Sequence, residues 1–202
     1  MALSATGTVA PPNRMPLMRG TLQMVLSAMA RYRGLMESPT RWRPMRAADL
    51  PAVTSLADAI HTEHPEDAAV FAERLALYPV GCLVLQGEGG ISGYAIAHPW
   101  TATAPPALDS LLGALPAGPN AFHLHDIVLD PAARGRGHAA AVLAMLFGQA
   151  VRLRLPRATL VAVAGTADYW QRQGFRPIPP RDAAALESYG PGAAFMARHL
   201  YG

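Results

Sequence analysis

Lysine is missing altogether from the 202 residues. A phosphate loop ending in Gly-Lys-Ser/Thr is therefore excluded, and any cation that meets a phosphate must be arginine. Cysteine is nearly missing too: the single Cys82 has no partner for an internal disulfide, which suits a reducing compartment. It sits in the apolar run Cys82-Leu83-Val84-Leu85, where a thiol serves as core filler. No apolar run is long and unbroken enough for a signal peptide or a membrane span. Acids are scarce at the start, where seven arginines before Asp49 are opposed only by Glu37, a balance of +6. From Asp49 onward 10 arginines face 13 acids, a balance of −3, so the basic charge belongs to the N-terminal segment. The body of the protein has no general attraction for nucleic acid or an anionic membrane.

What is present is a chain with 51% hydrophobic residues, enough to bury one sizeable core beside an appendage. Residues 1–39 read as the appendage, with coil composition first and then an amphipathic pattern over Thr21 to Met36 (Leu22, Val25, Met29, Tyr32, Met36). That arginine-bearing pattern matches a transit peptide or an interfacial helix as well as a plain extension. The domain spans residues 40–202. Arg41 to Arg46 reads as an edge strand, followed by a helix with Asp49 as its N-cap, Pro51 in its first turn, and Leu50, Val53, Leu56, Ala57 and Ile60 as its stripe. After a break at His61 to Pro65, a second helix carries Ala69, Val70, Ala72, Leu75 and Leu77 and stops at Pro79. Gly81 to Leu85 and Ile91 to Ala97 form a hairpin. Pro99 to Asn120 is a long loop with one helical turn expected at Leu108 to Leu115, a length that usually marks a lid or a substrate wall. Later strands fall at Ala158 to Ala164, Arg176 to Ile178 and Ala193 to Leu200, with a short helix before Gly174.

The chain is organised around Phe122 to Leu146, a buried strand, a glycine–arginine turn and a helix ending near Leu155. Such a junction leaves backbone N–H groups unpaired and aimed at one point, where the helix dipole favours an anion. Gly135-Arg136-Gly137-His138-Ala139-Ala140 matches the dinucleotide fingerprint G-x-G-x-x-A, but the acid required on the ribose about 20 residues further on is absent from Arg152 to Ala164. A solvated turn without ligand accounts for the glycines and not for arginines on both sides of Gly135.

Arg134-x-x-Gly137-x-Ala139, preceded by Ile127-Val128-Leu129-Asp130-Pro131 and followed by Tyr169-Trp170-Gln171-Arg172-Gln173-Gly174-Phe175, resembles the GNAT superfamily of acyl-CoA-dependent N-acetyltransferases. The resemblance covers residues 41–202 in element order. It implies an α/β GNAT fold: a mixed, mostly antiparallel sheet splayed between the fourth and fifth strands, with helices on both faces. It also implies acetyl-CoA as co-substrate, with no metal. Ile127 and Leu129 would pair with the pantetheine arm, Val128 lies between them, Arg134, Gly135, Arg136, Gly137, His138, Ala139 and Ala140 would surround the pyrophosphate, and Trp170 would also touch the cofactor. Glycine permits the close approach, and the Leu129 N–H is placed to meet a developing oxyanion.

His123-Leu124-His125 further resembles the His-x-His strand of the arylalkylamine N-acetyltransferase branch, as do the strand ending at Trp100 and the Tyr169-to-Phe175 segment. On a regular strand His123 and His125 share one face and Asp126 takes the other. The two imidazoles are candidates for relaying the amine's proton, with structural histidines as the alternative. The family's thiolate-protonating tyrosine sits four residues before the Gly-Phe pair, and that place holds Trp170, whose N–H does not serve as an acid. Tyr169 is the remaining candidate acid, about 100° away around the helix, or else a core residue. The implied reaction is direct transfer to a small primary amine, of arylalkylamine or polyamine type, with a protein or peptide amine as the alternative acceptor. A non-catalytic acyl-CoA-binding module is the competing class. The resemblance implies a cytoplasmic enzyme with a small-molecule partner, no nucleic acid and no membrane, and it admits a homodimer.

Overall fold

The computed structural model describes residues 40–201. The appendage read over residues 1–39, with its amphipathic pattern, lies outside the described residues. Strand β1 (Arg41–Pro44) is an edge strand, and Trp42 of β1 donates its indole N–H to the His138 carbonyl at 2.9 Å. Asp49 stands at the N-cap position of the first helix, as expected, but its side chain makes no cap hydrogen bond there. A single 3-10 turn, Ala47–Asp49, precedes α1 (Leu50–Ile60), and the Asp49 carboxylate reaches back to accept from the Arg46 N–H (2.8 Å) and the Arg43 guanidinium (2.7 and 2.8 Å). The turn's own orphan donor, with an arginine beside it, holds the carboxylate. Helix α1 buries Val53 and Ala57 as its stripe requires.

Helix α2 (Ala68–Leu77) begins at Asp67, whose side chain accepts from the Ala69 N–H. It buries Val70, Phe71 and Arg74, while Ala69 and Ala72 face solvent. Strands β2 (Cys82–Gly87) and β3 (Gly90–Trp100) form the expected hairpin, and β4 (Ala121–Leu129) follows the long loop. The expected helical turn at Leu108 to Leu115 is not formed. The Leu112 and Gly113 N–H groups donate to Glu73 at 2.7 and 2.8 Å, so donors that a helix would use internally are taken by α2. Helix α3 (His138–Arg152) stops short of Leu155, because Arg154 turns left-handed at φ 56°. Then come β5 (Arg157–Ala162), α4 (Ala167–Arg172), β6 (Arg176–Pro177), the unanticipated short α5 (Ala184–Glu187) and β7 (Ala194–His199).

The sheet has seven strands in the order β1-β2-β3-β4-β5-β7-β6, antiparallel everywhere except at β4–β5. Its two faces carry separate cores. Phe122, Leu124, Leu146, Leu160, Phe175 and Met196 lie on the α3 side, and Val53, Phe71, Val84, Tyr94, Ile96 and Val128 lie under α1 and α2. Full burial of each large apolar side chain contributes about 1.5–3 kcal/mol. Along β4 the alternation breaks between Leu124 and Val128. Ile96 sits opposite Asp126 and Ala97 opposite Leu124, which leaves His125 as an extra residue, a β-bulge. Strands β4 and β5 pair only at Phe122↔Ala158 and His123↔Thr159 and then part. This is the expected splay between the fourth and fifth strands, with helices on both faces of the sheet. Among the described residues no helix is long and apolar enough to cross a membrane.

Candidate active site

Beyond His123 the edge of β4 is open. The Asp130 N–H donates to the Ser92 carbonyl on the β3 side at 2.9 Å, so by alternation the peptide groups of Leu129 and Ile127 face the gap. The Leu129 carbonyl is met there by Arg134 Nε at 3.1 Å. A cavity of about 610 Å³ lies along this edge and runs to the first turn of α3. Every residue expected to hold the co-substrate lines it except Arg136, whose side chain is exposed away from the cavity. Val128 contributes main chain, since its side chain is buried under α1.

The turn into α3 is left-handed at Gly135 (φ 73°) and at Gly137 (φ 81°), the residue before the helix. Side chains other than glycine's resist this conformation by roughly 1–2 kcal/mol. A Cβ at either glycine would meet no atom within 4 Å, so it is the backbone conformation and not crowding that calls for glycine here. Helical bonding begins with the Ala141 N–H to the Gly137 carbonyl, which leaves the N–H groups of His138, Ala139 and Ala140 without acceptors inside the helix. A ring of free N–H groups at a helix start, with Arg134 beside it and an unpaired strand edge leading to it, fits a pyrophosphate with an amide-bearing arm.

A second cavity, of about 320 Å³, meets the first at His61, Ile127, Tyr169 and Trp170. Its polar wall is His61, His64, Glu66, His125 and Asp126. The His61 Nε2 stands 3.1 Å from both oxygens of Asp126, and the Tyr94 hydroxyl donates to the same carboxylate. The hydrogen bond that His61 donates to Asp126 raises the His61 pKa above its ordinary value, against the opposing effect of burial. Burial alone would push Asp126 up, yet His61 and Tyr94 outweigh it and hold the carboxyl below the usual range. Across the same wall His125 Nε2 stands 3.1 Å from Glu66 Oε2, both side chains nearly buried.

The bulge corrects two expectations. His123 and His125 do not face one cavity together: His123 lines neither cavity. It is buried with Nδ1 at 3.1 Å from Thr159 Oγ1 and its ring 5.6 Å from that of His98. Burial foremost, then His98 and His125, drives its pKa well down. Asp126, expected to turn away, lines the same cavity as His125. One extra residue in β4 shifts the alternation beyond it by one, which is enough to move a side chain between faces. His61, Glu66 and Tyr94 were not singled out from sequence. The signal for two of them was the density of titratable groups in the break between α1 and α2, His61, Glu63, His64 and Glu66.

Tyr169 and Trp170 both border both cavities, with ring centroids 5.0 Å apart. Trp170 also packs edge-on against Phe175 at 5.5 Å, while Tyr169 lies at the rim, 37% exposed. Burial raises the Tyr169 pKa, so its hydroxyl is protonated at neutral pH. Cys82 is fully buried in β2, its thiol pushed up to about 12 by burial, and takes no part in the site. Among the described residues no cluster of three metal-ligating side chains exists.

No curated protein matches the chain significantly. Solved structures share its fold. Ard1 from Thermoplasma volcanium superposes with a TM-score of 0.61 at 14% identity, over 79% of this chain and 96% of that one. Rv2747 from Mycobacterium tuberculosis, in complex with CoA and NLQ, gives 0.58 at 17% identity over 79% and 98%. The ribosomal-protein-S18-alanine N-acetyltransferase from Escherichia coli gives 0.56 at 18% over 79% and 93%. The sequence profile of the acetyltransferase (GNAT) family matches residues 45–175, well over half of the chain. By that match the chain belongs to the GNAT family of acetyl-CoA-dependent acetyltransferases.

Proposed function

We propose that the protein transfers the acetyl group of acetyl-CoA directly to the primary amine of a small acceptor with an apolar body. The observation that carries this reading is the junction of the two cavities at His61, Ile127, Tyr169 and Trp170. There the open β4 edge meets a carboxylate-paired imidazole. Acetyl-CoA, when bound, supplies an acetyl group activated as a thioester. His61 takes the amine's proton as the C–N bond forms, and Asp126 with Tyr94 holds the resulting imidazolium. The Leu129 N–H, facing the gap, stabilises negative charge on the acetyl oxygen. Tyr169 gives its proton to the sulfur as the C–S bond breaks, and solvent returns His61 and Tyr169 to their starting states. His125, held against Glu66 on the same polar wall, shapes the place where the amine rests. His123 takes no step and packs in the buried layer behind the site.

Leu108, Val161, Val163, Tyr169, Trp170 and Tyr189 make most of the remaining wall, and no arginine lines this cavity. That composition suits an arylalkylamine-type acceptor. A polyamine would meet only Glu66 and Asp126, each already paired to a histidine. The arylalkylamine reading rests on this wall and on the His-x-His strand, since none of the structural likenesses points to that branch. A peptide N-terminus is the second reading. Past Thr159 the β4-facing edge of β5 is unpaired beside the cavity and can accept an extended strand. Release of CoA thiol against arylalkylamines, polyamines and short peptides tests both readings. Fastest turnover with arylalkylamines is expected. Turnover confined to peptides moves the acceptor to the second reading, and no thiol release with any amine overturns the proposal.

A further inference from the structure

The wall of the amine cavity that carries Leu108 belongs to residues 101–120, a stretch without helix or strand that is held from two sides. Toward α2, the Asp109 N–H donates to Glu66 Oε1 at 3.1 Å, and the Asp67 N–H donates back to Asp109 Oδ1 at 2.7 Å. Toward the C-terminal segment, the Leu108 N–H donates to Ser188 Oγ at 2.8 Å and the Tyr189 hydroxyl donates to the Pro106 carbonyl at 3.1 Å. Asp109 is left-handed at φ 50°, a conformation that side chains rarely adopt. Its surroundings over-determine it.

Glu66 touches both sides of the cavity. One oxygen accepts from the Asp109 N–H of the wall segment, and the other lies 3.1 Å from His125 Nε2 at the β4 bulge. The His125 side chain is 2% exposed, neither ring nitrogen has a well-aligned hydrogen bond, and Glu66 at 3.1 Å is the carboxylate beside Nε2. Burial pushes the Glu66 carboxyl up, but the pull of His125 leaves it below its ordinary value. We propose that Glu66 is a positioning residue that ties the orientation of His125 to the seating of residues 106–113. An acceptor amine resting on Leu108 then meets a fixed imidazole. This inference rests on the amine-acetylation reading of the same site.

The test separates the two oxygens. Glu66→Gln keeps an acceptor for the Asp109 N–H and removes the charge beside His125, whereas Glu66→Ala removes both. For Gln, kcat is expected to fall on the order of 10- to 100-fold with the acceptor KM nearly unchanged, as for a misplaced catalytic contact. For Ala, the acceptor KM rises as well, and amide exchange over 106–113 speeds up by about tenfold or more, the signature of a locally freed segment. Gln leaves that exchange slow. Wild-type kcat in the Gln variant overturns the inference, as does the same pattern of loss for Gln and Ala. Should Ala fail to fold, a cycle of Glu66→Gln with His125→Asn decides: loss of the Gln effect in the Asn background supports the tie, and additive losses overturn it. The exchange measurement needs no turnover. A wild-type protein inert toward every amine sinks the function reading, and unchanged exchange in the Ala variant sinks this one.

Discussion

The two cavities meet at four residues yet are built from different material. The co-substrate side is mainly backbone: the open peptide edge at Ile127 and Leu129, two left-handed glycines and the unpaired N–H groups at the start of α3. The second cavity is side chains from separate elements: His61 after α1, Glu66 before α2, and His125 and Asp126 on β4, with Tyr94 of β3 buried behind Asp126. A backbone site is specified by local conformation, so a short motif suffices to write it. A side-chain site is specified by register and packing, and each member can be replaced without erasing the fold. This contrast explains how one co-substrate can be kept while acceptors diverge.

Substitutions on each side should separate the two functions. The largest effect is expected from His61→Ala, a fall in kcat of about 10²–10⁴ with the CoA dissociation constant unchanged. Equal loss of CoA affinity in a titration would show that the two sides are not separable. Next, Gly137→Val forces a branched side chain onto φ 81° at a residue that lines the cavity, and CoA affinity should drop by about a hundredfold, or roughly 2.7 kcal/mol. Calorimetry with CoA alone reads it, and unchanged affinity counts against the cradle. Tyr169→Phe should lower kcat by about tenfold, since a thiolate leaves fairly well unaided. Full turnover at every pH would remove its role as acid.

Two smaller effects are read by pH. Asp126 raises the His61 pKa, so the acid limb of kcat/KM should have its midpoint above 6.5 and move to lower pH in Asp126→Asn. A limb that stays in place would assign it to another group. Behind the site, burial first, and then His125, lowers the His98 pKa to about 3, and His123 is shifted in the same direction. The unfolded chain binds these protons near 6.5 while the folded one does not, so stability is fullest above 6.5 and drains as pH falls toward 3. A denaturant midpoint that stays flat from pH 7 to 5 would argue against buried neutral imidazoles.

Much of this architecture could be read locally. The Gly135-to-Ala140 turn, the stripe of α1 and the hairpin of β2 and β3 follow from glycine placement and periodicity, and they appear where those signals put them. The errors share a cause. Leu108 to Leu115 has a helical pattern, but Glu73 takes its donors from another element. Asp49 has the look of a cap, but Arg43 across the turn claims it. The facing of His123 and Asp126 follows from alternation only on an unbroken strand, and the bulge is defined by what lies opposite on β3.

By itself the sequence determined that a strand, a glycine turn and a helix would present free N–H groups to an anion, because those conformational limits act within a few residues. It likewise excluded a lysine phosphate loop and an internal disulfide by composition alone. Only the tertiary structure decided which imidazoles line the second cavity. The choice depends on one unpaired residue in β4 and on carboxylates brought from distant elements, and side-chain facing and ion pairing over such distances are settled by packing rather than by local preference.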